Sequence, residues 1–170
     1  FRRAGFTKGV FYAAKTVETA LAEMAFYRLL FYAESPSTPM PVNPAEYTAF
    51  AADIQANAAI DLTKPALSRD AALWTDLNDY EPCQTLADTA RQADVQAIIY
   101  RSVRDPMKGK NIALLTPLGF KTKRPVARTS WRIRLSKIGI QALCEQPVQR
   151  IGFSLKDFSA DPRIARLLKA

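Results

Sequence analysis

The chain has 170 residues but no histidine, and its only cysteines are Cys83 and Cys144. The lack of histidine excludes Ser-His-Asp and Cys-His catalysis and histidine-based metal sites. Two thiols without CxxC spacing cannot form an ordinary zinc site, and we interpret them as free cytosolic thiols. An enzyme of this composition must work with carboxylates, hydroxyls, tyrosines and fixed positive charge.

Long apolar runs and phosphate-binding glycine motifs are missing as well. No stretch approaches the ~20 apolar residues that cross a bilayer, and nothing resembles a signal peptide, so we expect a cytoplasmic protein without membrane contact. The absence of GxGxxG and of a P-loop argues against a Rossmann or Walker phosphate cradle. The chain starts at Phe1 rather than Met, and we expect further residues upstream.

Positive charge is in excess. Apolar residues make up 48% of the chain, and 24 Lys and Arg against 16 Asp and Glu give a net charge of +8. This composition predicts one folded domain over residues 1–170 that favours anionic partners. The densest basic stretch, 121–137, contains a predicted strand whose alternation places Arg132 and Arg134 on one face. We interpret that face as solvated; a nucleic-acid-binding surface is the alternative.

Apolar periodicity and turn residues predict an α+β fold. A strand over 9–14 leads into a helix that begins after the N-cap Thr16 and runs to about Tyr32. The other expected elements are one bent or two short strands over 47–60, helices over 68–77 and 83–92, strands over 97–100, 111–115, 131–135 and 150–155, and a helix from Pro162 to near Lys169. Because they do not alternate as βαβ units, we predict mixed or antiparallel sheets around the first, central helix.

A carboxylate interrupts that central helix. Glu23 lies in Val17–Tyr27, which is apolar on almost every helical face, so the carboxylate must be paired, protonated or used in chemistry. Tyr12 lies eleven residues upstream, and Arg2 ten residues before Tyr12. An arginine can grip a pyrophosphate, a tyrosine ring can stack on a cationic heterocycle, and a glutamate can accept from ribose hydroxyls. The set suggests a site for a dinucleotide cation.

Each of these residues also has an ordinary structural interpretation. Glu23 could be satisfied by a buried arginine or tyrosine hydroxyl, and Tyr12 could be a core aromatic. Arg2 could be a surface residue beside Arg3, and Ser102, which follows the strand over 97–100, could cap a turn. The residues alone leave these alternatives open.

Several segments resemble the RES domain family of bacterial toxins, named for an arginine, a glutamate and a serine. The resemblance extends over most of residues 2–118, and the matching segments are 9–23, 84–87, 99–104 and 109–114. By position, the functional residues of the family fall on Arg2, Tyr12, Glu23 and Ser102.

The resemblance implies a diphtheria-toxin-like ADP-ribosyltransferase fold and NAD as the substrate, with no metal. It gives catalytic roles to Glu23, Arg2 and Tyr12, and NAD-binding roles to Arg2, Tyr12 and Ser102. The ParT-like branch, which is the most similar, transfers ADP-ribose to phosphoribosyl pyrophosphate synthetase. Other members degrade NAD with water or phosphate as the acceptor.

The same resemblance implies a protein partner. RES toxins pair with an Xre-type antitoxin, and we expect it to cover the NAD cleft with an acidic segment that suits the basic surface. Direct contact with nucleic acid is not expected of the toxin.

Overall fold

Two four-stranded sheets and one long helix form the framework of the computed structural model, which describes residues 1–168. The strands are β1 Phe11–Ala14, β2 Ala45–Ala51, β3 Ala59–Asp61, β4 Ala97–Arg101, β5 Lys110–Leu114, β6 Ala127–Ser136, β7 Gly139–Glu145 and β8 Val148–Ser154. The α-helices are α1 Val17–Glu34, α2 Ala71–Trp74, α3 Glu81–Gln92 and α4 Pro162–Ala165. Single 3-10 turns cover Ser68–Asp70, Pro117–Gly119, Leu155–Phe158 and Arg166–Leu168.

The first sheet has the strand order β1-β5-β4-β3. Its pairs are antiparallel except for β3 and β4, which run parallel. The central position of β5 places Asn111 opposite Ala14 of β1 and Tyr100 of β4. Because directly opposed residues share a face of the sheet, the Asn111 side chain lies on the same side as that of Tyr100.

The second sheet has the order β2-β6-β7-β8 and is antiparallel throughout. On β6, the buried Trp131, Ile133 and Leu135 alternate with exposed residues that include Arg132 and Arg134. The predicted sharing of one face by these two arginines is therefore confirmed. Arg132 lies within ion-pair distance of the exposed residues Glu46 and Glu145.

Helix α1 contacts both sheets. The Thr16 side chain accepts a hydrogen bond from the backbone N–H of Thr19, which confirms the predicted N-cap. One face of the helix, including Leu21, Phe26 and Leu29, packs into the core of the second sheet. The opposite face is more open than its apolar sequence predicts: Tyr27 and Phe31 are about half exposed. A cleft borders α1 at Tyr27, which is why its ring is not covered.

The α+β class, with mixed and antiparallel sheets around a long helix in one domain, is confirmed, but several elements differ in detail. The expected helix over 68–77 is a 3-10 turn followed by the one-turn α2. The stretch predicted as one bent or two short strands forms β2 and β3, which lie in different sheets.

Strand β7 was not predicted, because Gln141, Ala142 and Leu143 carry no strong β-preference and pairing with β6 and β8 determines their conformation. In the terminal helix only α4 and one 3-10 turn are described, and the expected end at Lys169 lies outside the described residues. No helix within residues 1–168 has the length and apolar character needed to cross a membrane.

Candidate active site

A cleft of about 560 Å³ lies between α1 and the first sheet. Six aromatic residues line it: Phe1, Tyr12, Tyr27, Trp74, Tyr80 and Tyr100. The charged and amide residues that line it are Glu23, Asp76, Arg101, Arg104 and Asn111, and Cys83 is a lining residue as well. A mostly apolar cavity with a few convergent polar groups is the usual form of a small-molecule site.

Glu23 is held in this cleft by two hydrogen bonds to one carboxylate oxygen. Its Oε1 accepts from the Ser102 hydroxyl at 2.7 Å and from Asn111 Nδ2 at 2.6 Å. Ser102 follows β4 directly, and Asn111 is the second residue of β5. Within residues 1–168 no donor reaches Oε2, so this oxygen has free lone pairs for another partner.

Ser102 lies beneath Glu23, is buried, and is not among the residues that line this cleft. Its Oγ also accepts from the backbone N–H groups of Arg104 and Asp105, at 3.3 and 2.9 Å. These contacts commit its single hydroxyl proton to Glu23. Ser102 therefore caps the turn after β4, as the sequence suggested, and it also contacts Glu23.

The loop that contains Ser102 is attached to α1 by a second buried contact. The Thr19 hydroxyl of α1 donates to Asp105 Oδ2 at 2.8 Å. The same carboxylate accepts from the backbone N–H groups of Met107 and Gly109, and the Ser102 N–H donates to the Gly109 carbonyl at 2.8 Å. The loop from Ser102 to Gly109 is therefore attached to α1 by hydrogen bonds, and it carries the Ser102 hydroxyl that donates to Glu23.

Tyr12 lies on β1 with its ring about half exposed on the cleft wall. Burial raises the pKa of its hydroxyl, and the nearby Arg91 and Arg2 charges oppose that rise. Burial likewise raises the pKa of Tyr27 and of Tyr100, with the Glu23 carboxylate adding to the rise in both cases. These phenols stay neutral at physiological pH and can donate hydrogen bonds or stack.

The two adjacent N-terminal arginines have different environments. Arg3 is bound to α3 by hydrogen bonds to Glu81 and Asp88 at 2.9 Å each. Arg2 is exposed, and its side chain has no hydrogen bond or ion pair to any described residue. Its charge acts on Tyr12, although it is not itself a lining residue. Of the two, Arg2 is therefore the one available to a ligand.

Asn111 and Arg104 are cleft residues that the sequence interpretation missed. Arg104 is buried, its guanidinium lies 3.9 Å from the centre of the Phe26 ring, and it pairs with Asp161 at 3.1 Å. No sequence signal connects residues 57 positions apart. Asn111 did carry a local signal, because asparagine is depleted in strands and here precedes the apolar run Ile112–Leu115.

Comparison with protein-family models matches residues 1–136 to the RES domain. No curated protein matches the chain at a significant level. The matched range contains Arg2, Tyr12, Glu23, Ser102 and Asn111, whereas β7, β8 and α4 come after it.

Proposed function

Since the chain belongs to the RES domain family, we propose that it is the toxin of a bacterial toxin–antitoxin pair and consumes NAD. The proposed reaction cleaves the bond between nicotinamide and ribose and transfers ADP-ribose to a protein acceptor. Family membership is consistent with NAD processing in toxin–antitoxin systems, and such proteins typically pair with an antitoxin. The transfer, its acceptor and the Xre type of the partner are parts of the proposal.

The observation that supports the proposal best is the geometry of Glu23. Two donors hold Oε1 in an aromatic cleft, and Oε2 has no partner among the described residues. A carboxylate fixed in this way can accept from a ribose hydroxyl and stabilise positive charge on the anomeric carbon. Such an arrangement accelerates the reaction because the interaction grows as charge develops in the transition state.

The bond changes need no metal and no acid for the leaving group. The C–N bond breaks with its electron pair going to the ring nitrogen, so the cationic nicotinamide leaves as a neutral molecule. The ribose becomes oxocarbenium-like, as in glycoside hydrolysis. A nucleophile then bonds to the anomeric carbon, and its proton passes to solvent water. The ring of Tyr12 can stack on the flat, cationic nicotinamide ring of NAD. Arg2 has no ion pair with a described residue, and its charge can bind the diphosphate of NAD.

The acceptor distinguishes the two versions of this function. The RES resemblance favours a protein, and the proposed one is phosphoribosyl pyrophosphate synthetase. The alternative is water or inorganic phosphate as the acceptor, in a glycohydrolase or phosphorylase. An antitoxin bound over the cleft would block either version. Direct nucleic-acid binding through the second sheet is a remote alternative that the pairing of Arg132 with Glu46 and Glu145 does not favour.

The test is nicotinamide release from NAD by the wild-type protein, Glu23→Gln and Glu18→Gln. Glu18 is an exposed glutamate in the first turn of the same helix and makes the matched control. We expect Glu23→Gln to lower kcat by at least about 100-fold, as the loss of one transition-state contact does, and Glu18→Gln to stay near the wild type. Equal rates for Glu23→Gln and the wild type would refute the assignment.

The same reaction with adenine-labelled NAD in a cell lysate identifies the acceptor. A labelled protein band that is absent with Glu23→Gln supports transfer to protein. Free labelled ADP-ribose, or its 1-phosphate when phosphate is present, supports the hydrolase or the phosphorylase instead.

A further inference from the structure

Asn111 is chemically out of place in its strand. It lies in the central strand of the first sheet, between β1 and β4, and only 3% of its surface is exposed. Asparagine is depleted in strands, and a buried amide that lacks hydrogen bonds is unfavourable. A residue that contradicts its local surroundings in this way is often retained for function.

The hydrogen bonding of this amide is one-sided. Asn111 Nδ2 donates to Glu23 Oε1 at 2.6 Å, whereas Oδ1 is buried and has no partner among residues 1–168. A hydrophobic residue of similar size would avoid the unpaired acceptor. The contact to Glu23 at 2.6 Å is the hydrogen bond that the amide gains at this position, and Asn111 also partly offsets the rise in the pKa of Tyr100 beside it on β4.

A second donor changes what Glu23 can do. The terminal torsion of a glutamate has a broad energy profile, so a single hydrogen bond leaves its carboxylate free to rotate. Ser102, from a loop, and Asn111, from a strand, reach the same oxygen from different elements. Two such donors restrict the rotation of the carboxylate and therefore the position of Oε2.

We propose that Asn111 is a positioning residue that orients the Glu23 carboxylate, so that Oε1 stays bound to the protein and Oε2 is presented to the substrate ribose. This role rests on the proposed NAD cleavage. It concerns Asn111 rather than Glu23, and it is tested by a pH profile and by amide exchange rather than by nicotinamide release alone. Asn111 has no reacting atom of its own in this role, and its effect is exerted through Glu23.

The test is the pH dependence of Asn111→Asp, which keeps the size of the side chain and replaces the donating NH₂ with a carboxyl oxygen. The introduced carboxyl and Glu23 would share one proton, because like charges in contact raise the pKa of the pair. While that proton is bound, the introduced carboxyl donates to Glu23 as the amide does. When it is lost, the two carboxylates repel each other.

We therefore expect kcat of Asn111→Asp relative to the wild type to fall by about 100-fold at pH 8, with KM nearly unchanged, and to recover at least tenfold toward pH 5. Asn57→Asp makes the same change at an exposed position and should match the wild type at every pH. Since a carboxylate at the buried position 111, paired with that of Glu23, also destabilises the folded protein at high pH, the rates are compared only at pH values at which circular dichroism shows that Asn111→Asp is folded. A pH-independent loss, or no loss, would overturn the positioning role.

A measurement without NAD separates this proposal from the proposed function. The side-chain amide protons of Asn111, observed by NMR, should exchange slowly with solvent in the wild type and faster in Glu23→Ala. Fast exchange in both proteins would overturn the proposal even if NAD is cleaved. Slow exchange in a wild-type protein that releases no nicotinamide would refute the proposed function and leave the hydrogen bond intact.

Discussion

At the scale of single residues, Gly109 shows how closely the loop beneath Glu23 packs on α1. A Cβ at this position would collide with the Thr19 hydroxyl and lie 2.7 Å from Asp105 Oδ2. These are the two groups whose hydrogen bond attaches the loop to the helix. Gly109 permits this close approach, and a side chain here would displace the Thr19 hydroxyl or the Asp105 carboxylate, which attach the loop to α1.

We predict that Gly109→Ala lowers the free energy of unfolding by about 1–3 kcal/mol, the usual effect of overpacking a buried contact. Nicotinamide release should fall as well, because the loop that carries Ser102 loses its attachment to α1. Denaturant titration measures the stability. Gly9→Ala is the control, since a Cβ there meets no atom within 4 Å, and it should change stability by no more than about 0.5 kcal/mol. Equal stability of the two variants would contradict the close approach.

Single residues could be identified from the sequence where the neighbouring residues were sufficient to mark them. Glu23 could be singled out because a carboxylate in an apolar helix needs a partner, and the structure supplies Ser102 and Asn111. The assignment of Glu23 to NAD chemistry stays a prediction. Asn111 was missed as a partner because its contact depends on how β5 aligns with β1 and β4, and only the folded sheet fixes that register.

At the scale of elements, the start of α1 sets the position of the site. The helix begins one residue after Thr16, whose side chain accepts from the Thr19 N–H at 3.2 Å. Thr19 makes the contact to Asp105, and Glu23 lies about one turn further along the helix. The N-cap therefore fixes the part of the helix that carries both residues.

Thr16→Ala is expected to destabilise the protein by about 1 kcal/mol, because it leaves an N–H of the first turn without its capping acceptor. Thr16→Ser keeps the acceptor oxygen and should recover most of that loss. Thermal denaturation of the two variants and the wild type measures the difference. If alanine and serine at position 16 behaved alike, the cap would not be the stabilising contact.

Elements with signals of their own were predicted well. The N-cap Thr16 indicates the start of α1, and Pro82 lies in the first turn of α3. The alternation of apolar and polar residues indicates β6. The partition of the strands into two sheets was not predicted, because it depends on contacts between distant parts of the chain. Strand β2 pairs with β6 more than 75 residues later, and no local pattern in Ala45–Ala51 specifies that partner.

At the scale of the whole molecule, the C-terminal segment supports the cleft through one of its lining residues. Arg104, which lines the cleft, pairs with Asp161 at 3.1 Å, and Arg163 pairs with the same carboxylate at 2.8 Å. The hydrogen bonds from Arg163, with the Arg104 charge as a smaller contribution, lower the pKa of Asp161 to about 2. Asp161 is therefore ionised in the folded protein at physiological pH.

This lowered pKa predicts an acid-sensitive contribution to stability. Because Asp161 has a lower pKa in the folded than in the unfolded state, its contribution is full above about pH 4 and is lost as the pH falls toward 2. The shift corresponds to about 2 kcal/mol. The difference in unfolding free energy between the wild type and Asp161→Asn should shrink by that amount between pH 5 and pH 2. A difference that does not vary with pH would contradict the pairing.

The position of Asp161 has a consequence for where this protein can be cut. The family match ends at residue 136, yet the following residues provide β7, β8 and α4. Residues after 136 also contribute buried side chains to the core around α1, namely Ile140, Ala142, Cys144, Leu155, Phe158 and Ile164. A fragment that stopped at the family boundary would lack these core side chains and the Asp161 counter-ion of Arg104, and β6 would become an edge strand, which favours aggregation. The end of the family match and the end of the folded core are therefore different in this chain.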